Sequence, residues 1–261
     1  MLKALYLYRN FIYESIKRDF LARYAKSFLG SLWAIFNPLC MIIVYTLIFT
    51  EVMRAKIPGI DSTFSYSIYI CAGIIPWGLF LDVSGRCVSM FIEYAGILKK
   101  VNIPKICLPA VVIGSSLINF VIMTLLFFIF LFIIGYFPGV VVLYALPLVL
   151  LLLIMAVSIG IFLGTINVFL RDVGQFYGVL SQFWFWLTPI VYPLLIVPES
   201  FKNIVDYNPI YPIIAGFQSI FLEHKAPDYL SVLPVALGTI IFSVLVLKFF
   251  RRHSEEIVDE L

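Results

Sequence analysis

Six apolar runs take up most of this chain, and each is long enough to cross a lipid bilayer. They extend from Ser31 to Val52, Ser65 to Phe91, Ile106 to Tyr136, Val140 to Phe169, Val173 to Leu195 and Tyr229 to Phe250. About 20 apolar residues span the hydrocarbon core as a helix. Lipid offers the backbone no hydrogen bonds, so such runs must satisfy their N–H and C=O groups internally, as helices. The expected fold class is all-α, a polytopic membrane protein with six transmembrane helices. With 62% hydrophobic and 13% charged residues, a water-soluble core and a disordered chain are both excluded. A net charge of +3 reflects the placement of the loops and gives no support for nucleic-acid binding.

The basic residues set the orientation. Lys3, Arg9, Lys17, Arg18, Arg23 and Lys26 precede the first run. Lys99, Lys100 and Lys105 follow the second, Arg171 the fourth, and Lys248, Arg251 and Arg252 close the sixth. Only Arg54, Lys56, Lys202 and Lys225 fall on the opposite side. The positive-inside rule then puts both termini in the cytoplasm of a bacterial inner-membrane, multi-pass protein. The first run follows a long basic segment without a small-residue cleavage site, which reads as a retained helix rather than a signal peptide.

The chain divides accordingly. Residues 1–30 form a cytoplasmic interface helix, in which Leu5, Tyr8, Ile12, Ile16 and Phe20 recur at helical spacing while Arg9 and Asp19 interrupt the stripe. Residues 31–195 hold spans one to five, with a short basic cytoplasmic helix at 93–104 ended by Pro104, about two to three turns long. Residues 196–228 form an outer segment. Proline punctuates the chain from Pro189 to Pro212, yet Ile213 to Leu222 is apolar, the pattern of a re-entrant element. Residues 229–250 are the sixth span, and 251–261 a cytoplasmic tail.

Chemistry is sparse. There is no G-x-x-x-x-G-K-[ST] loop, no H-E-x-x-H helix and no Cys/His cluster. His224 and His253 lie on opposite sides by the topology above, so no metal site is expected. Cys40, Cys71, Cys87 and Cys107 read as small helix-packing residues. Asp82 and Arg86, one turn apart in the second span, can neutralise each other as an intramembrane ion pair, either structural or on a transport path. If the protein moves anything uphill, its energy enters from another subunit.

Several segments together resemble one family. Arg23-Tyr-Ala-Lys-Ser-Phe-Leu-Gly-Ser-Leu-Trp-Ala-Ile-Phe-Asn-Pro-Leu39 is similar to the entry into the first span of the permease subunits of ABC exporters that carry O-antigen, teichoic acid or capsular polysaccharide. Gly73-Ile-Ile-Pro-Trp77, Leu98-Lys-Lys-Val-Asn-Ile-Pro104, Asn167-Val-Phe-Leu-Arg-Asp-Val173, Leu187-Thr-Pro-Ile-Val-Tyr-Pro193 and Tyr207-Asn-Pro209 follow in the same order. The O-antigen exporters of Gram-negative bacteria, which serve lipopolysaccharide biosynthesis, are the most similar. The resemblance implies a homodimer with two copies of a cytoplasmic ATPase, in which ATP and Mg are bound. It implies a polysaccharide on undecaprenyl diphosphate as cargo, no enzymatic activity and no cofactor in this chain. It also implies that 93–104, with Glu93, Gly96, Lys99 and Lys100, couples to the ATPase, that the N-terminal helix flanks a lateral lipid entrance, and that the outer segment is a gate.

Two sets of site residues follow from that expectation. Aromatic rings bind the C–H faces of sugars without fixing one register, which suits a sliding polymer; Trp33, Phe36, Tyr45, Trp77, Phe80, Phe183, Trp184, Trp186 and Tyr192 are the candidate channel rings, about half of them expected to face it. Arg18, Arg23 and Lys26, at headgroup depth, are candidates to recruit the lipid diphosphate. Two rivals stand beside this reading: an ABC permease for another cargo, such as teichoic acid, capsule or a drug, and an intramembrane enzyme on polyprenyl-linked sugars with Asp82 as acid or base. The second needs a further convergent catalytic group, which the sequence does not offer.

Overall fold

The computed structural model describes residues 2–24, 28–52, 63–100, 103–254 and 256–260. Among them every regular element is helical. Two helices precede the first apolar run, α1 (Leu2–Leu7) and α2 (Arg9–Tyr24). The long apolar elements are α3 (Trp33–Thr46), which carries Pro38 and continues into a wide π turn over Leu47–Val52, and α4 (Ser65–Glu93). After the single turn α5 (Ala95–Leu98) come α6 (Cys107–Ile133), α7 (Ala145–Phe169) and α8 (Val173–Leu187). The outer segment holds α9 (Glu199–Asp206) and α10 (Tyr211–Gln218). The chain closes with α11 (Tyr229–His253) and α12 (Glu256–Glu260).

Among the described residues, five helical stretches are long and apolar enough to cross a membrane. The expected fifth run, Val173 to Leu195, ends as a helix at Leu187. Its 15 residues make about 22 Å of helix, short of the ~30 Å hydrocarbon core. Pro189 and Pro193 explain the stop, because a proline disfavours helix at the residue before it and cannot donate a backbone hydrogen bond.

α4 is the hub, packed by α3, α6, α7, α8 and α10. Its most apolar stretch is 78% buried, against 17% to 28% in the other four spans. Close approach to α7 depends on Gly160 and Gly164, one turn apart. A Cβ at Gly160 would lie 2.8 Å from the Ser84 carbonyl oxygen, and one at Gly164 would run into the Cys87 carbonyl. Small residues four apart let two membrane helices touch backbone to backbone, where dispersion rather than the hydrophobic effect holds them. Asn167 then locks the end of α7: its amide donates to the Val88 carbonyl at 3.0 Å and accepts from the Gly174 N–H at 2.9 Å, fixing the turn into α8.

At the far end from α2, the non-helical chain over 188–193 lies on protein. Tyr69 donates its hydroxyl to the carbonyls of Pro189 (3.0 Å) and Tyr192 (2.9 Å), and Tyr66 to that of Val191 (2.8 Å). The Gln218 amide also donates to Pro189 O at 3.0 Å. Irregular backbone at membrane depth is tolerated only where protein satisfies it in this way. α10, expected as a short apolar element, is buried through Ile213, Ile214 and Phe217 against α4 and α7. It runs on as a π turn, Ser219–Glu223, that ends at His224 with φ 55°.

Candidate functional site

The charged groups of the bundle meet in one seam between α2, α4 and α6. Asp19 and Arg23 are one turn apart on α2, and Asp82 and Arg86 one turn apart on α4. The structure pairs them across the helices: Arg86 with Asp19, and Arg23 Nη2 with both Asp82 oxygens at 3.3 Å. This corrects the expectation that Asp82 and Arg86 neutralise each other. The reason is geometric. Two antiparallel helices that each present an acid and a base at i,i+4 bring every charge opposite its complement, and the guanidinium reaches the facing carboxylate without bending back along its own helix.

The two halves of the seam differ in strength. Arg86 also donates to Ser115 Oγ (2.5 Å) and Ser116 Oγ (3.3 Å) of α6, so three helices converge on it. Its side chain is 19% exposed and that of Asp19 22%. Arg23 and Asp82 are more open, 25% and 29%, and their contact lies at the long end of the hydrogen-bond range. Beside the seam, burial with the Asp19 carboxylate adding to it pushes the Tyr94 hydroxyl above its usual range. Asp19 had appeared as a flaw in the apolar stripe of α2. The stripe itself is present: Leu5, Tyr8, Ile12, Ile16 and Phe20 are all half-buried on one side, and Ile16 sits where a side chain at Gly114 of α6 would go.

The candidate entrance residues separate. Arg23 is engaged by Asp82, Arg18 is exposed on another side of α2, and Lys26 lies outside the described residues. Arg18 and Arg23 are not gathered into one anion cradle.

The candidate channel rings divide by burial. Trp77 and Phe80 are 3% and 0% exposed, so they belong to the core of the protomer and are removed from the set that could face a channel. Both pack on Trp184 (6.3 and 5.4 Å between ring centres), which ties α8 to the hub. The Trp184 indole N–H donates to Asn208 Oδ1 at 2.9 Å, and Asn208 in turn donates to Thr188 Oγ1 at 2.8 Å. The rings that reach the surface are Phe36 on α3 and Phe183 and Trp186 on α8, continued along α8 by Phe176. Trp33 is half-buried, edge-on to Phe36 at 5.5 Å. Tyr45 is half-buried beside Phe49, and Tyr192 is half-buried with its hydroxyl donating to the Trp186 carbonyl. The open face of α8 therefore carries apolar and aromatic side chains at helical spacing.

Around 93–104 the expected two to three turns shrink to one. α4 itself runs through Glu93, whose carboxylate accepts from Ser89 Oγ at 2.5 Å, and of the described residues from there to Pro104 only Ala95–Leu98 is helical. Gly96, Lys99 and Lys100 are exposed, and Leu98, 7% exposed, anchors the turn. Among the described residues no cluster of His, Cys, Asp and Glu could hold a metal ion.

Residues 11–222 match the profile of the ABC-2 type transporter membrane family. The chain belongs to the ABC-2 type transporter family. An O-antigen export system permease protein RfbA from Myxococcus xanthus is 30% identical to this permease over 263 residues, covering 100% of the chain and 99% of the relative. One of the same name from Klebsiella pneumoniae is 30% identical over 237 residues, 90% and 88% of the two chains. The polysialic acid transport protein KpsM of Escherichia coli is 22% identical over 245 residues, 91% of each. The ABC-2 permease therefore has relatives along its whole length that are themselves named as polysaccharide carriers.

Proposed function

We propose that this ABC-2 permease exports O-antigen polysaccharide, carried on undecaprenyl diphosphate, from the cytoplasm to the outer face of the inner membrane, as a homodimer joined to two copies of a separate ATPase. The observation that carries the reading is the full-length similarity to permeases named for O-antigen export. Physical features of the chain support it. The sequence has no phosphate loop, so nucleotide energy must come from a partner. α5, with exposed Lys99 and Lys100 and a buried Leu98, offers that partner one rigid turn continuous with the hub helix α4. Both termini and α5 lie on the cytoplasmic side by the distribution of Lys and Arg. The sixth crossing is completed by α8 together with the side-chain-satisfied segment 188–193, and α9 and α10 close the outer end as a gate. The aromatic face of α8, with Phe36 of α3, lines the path once a second copy is opposed to it; a two-fold pair doubles the wall available to surround a polymer.

Deleting the gene and analysing the lipid-linked glycan tests the reading. Export by this permease predicts that polyprenyl-linked O-antigen accumulates inside the cell, is lost from the surface, and is restored by the wild-type gene. Normal surface O-antigen in the deletion strain would overturn the reading, and loss of a capsular polymer alone would move the cargo to that class.

A further inference from the structure

A cavity of about 320 Å³ opens between α3, α4 and α6, at the looser end of the charged seam. Its size is near the lower bound of small-molecule sites, about 300 Å³, enough for one ring or head group and too small for a stretch of polymer. Apolar side chains form part of its wall, among them Ala34, Met41, Ile75, Leu79, Phe120 and Met123, and polar ones the rest. Trp33 and Asn37 come from α3, Asp82 from α4, Ser116 and Asn119 from α6, and Arg23 reaches in from α2. Neither amide, Asn37 nor Asn119, has a hydrogen-bond partner among the described residues, although each can make about four such bonds. Asn37 is exposed and Asn119 half-buried, so both amides are open to whatever enters the cavity. Gly78 forms part of the same wall, and nothing lies within 4 Å of where its Cβ would be, so the wall is open there.

These residues discriminate between occupants. An acyl chain would leave both amides unsatisfied. A bare phosphate would find the one arginine already neutralised by Asp82. A sugar ring fits: its hydroxyls both donate and accept, matching two amides and a serine hydroxyl, and its C–H face matches an indole. We infer that this cavity binds one sugar ring of the lipid-linked glycan at the membrane, with Asn37, Asn119 and Ser116 as hydrogen-bonding groups, Trp33 as platform and the closed Arg23–Asp82 pair as its rim. The inference rests on the proposed function for the nature of the cargo and adds a recognition site for it.

The test uses the purified full-length permease in phosphatidylcholine nanodiscs. Two probes compete for it: a short polyprenyl diphosphate bearing one N-acetylhexosamine, and the same polyprenyl diphosphate without sugar. The wild type should prefer the sugar-bearing lipid by about tenfold. Asn37→Leu and Asn119→Leu should each cut the preference to a few-fold, since one lost hydrogen bond is worth a factor of about 2 to 10. Gly78→Leu, whose Cβ enters open space and whose side chain extends into the cavity, should bring the ratio to one while leaving binding of the sugar-free lipid unchanged. Because the ratio is read on a single preparation, a variant with a smaller folded fraction still reports. An undiminished preference in Gly78→Leu, or none in the wild type, overturns the inference. If surface O-antigen is at the same time lost in the deletion strain and restored by the wild-type gene, only the inference fails and the export function stands.

Discussion

Asp19→Asn is the most informative single change in the charged seam. It removes the carboxylate facing Arg86 and leaves a guanidinium among α2, α4 and α6 with two serine hydroxyls as its remaining partners. Breaking a fully buried pair by removing one partner costs about 3–5 kcal/mol. Here both side chains keep about a fifth of their surface exposed, and water can partly solvate the stranded charge. The cost should therefore fall to about 2–3 kcal/mol, or about 4–12 °C in Tm for a chain of this size. The protein carries its own reporter. Cys71, Cys87 and Cys107 are buried thiols that a thiol-reactive dye reaches only on unfolding, and Cys40→Ser removes the accessible fourth. A double-mutant cycle with Asp19→Asn and Arg86→Met should give a coupling of about 1–3 kcal/mol, and the parallel cycle with Asp82→Asn and Arg86→Met clearly less. If the Asp82 cycle shows the larger coupling, Arg86 pairs along its own helix and the crossed seam is wrong.

Further outcomes follow from the packing. Gly164→Val drives a branched side chain into the Cys87 carbonyl, and overpacking of this kind costs about 1–3 kcal/mol or more; the purified protein should lose monodispersity on size exclusion while Gly178→Val, in open space, keeps it. Leu98 N–H donates to the Tyr94 carbonyl at 2.9 Å, so Leu98→Pro breaks the turn of α5. Gly96→Pro, at its start, costs little. Partner-stimulated ATP hydrolysis should be lost in the first and kept in the second, with both proteins inserted normally. Phe183→Ala and Trp186→Ala, exposed on α8, should lower export with Tm within about 2 °C of wild type, whereas Trp77→Ala should cost about 3–5 kcal/mol in the same thermal assay.

The spans were legible because lipid imposes a composition that no loop shares. Which span is central was not, since α4 is less apolar than α6 or α7 and yet the most buried. The signal for it lay in Gly160 and Gly164, a small-residue pair at i,i+4 whose meaning depends on the helix it faces. The end of α8 was overrun because Ile190, Val191, Leu194 and Leu195 remain apolar past the helix. Within this stretch the carbonyls of Pro189, Val191 and Tyr192 are held by hydroxyls of Tyr66 and Tyr69 more than 100 positions earlier, a relation that no local pattern records. The seam was misread for the same reason: Asp82 and Arg86 satisfy a local rule, and their partners are 59 and 67 residues away. Asp19, set wrongly for an apolar stripe, is itself one of those partners.

Transport itself tests the account most directly. The permease, co-purified with the ATPase subunit proposed as its partner, is reconstituted into proteoliposomes with radiolabelled undecaprenyl-diphosphate-linked O-antigen in the leaflet that faces the ATPase. A glycan-modifying enzyme confined to the opposite compartment then reports each molecule that crosses. The account predicts crossing that requires ATP, requires both subunits and stops when the ATPase is inactivated. Crossing at the same rate without ATP, or none with both subunits present and ATP being hydrolysed, would contradict it.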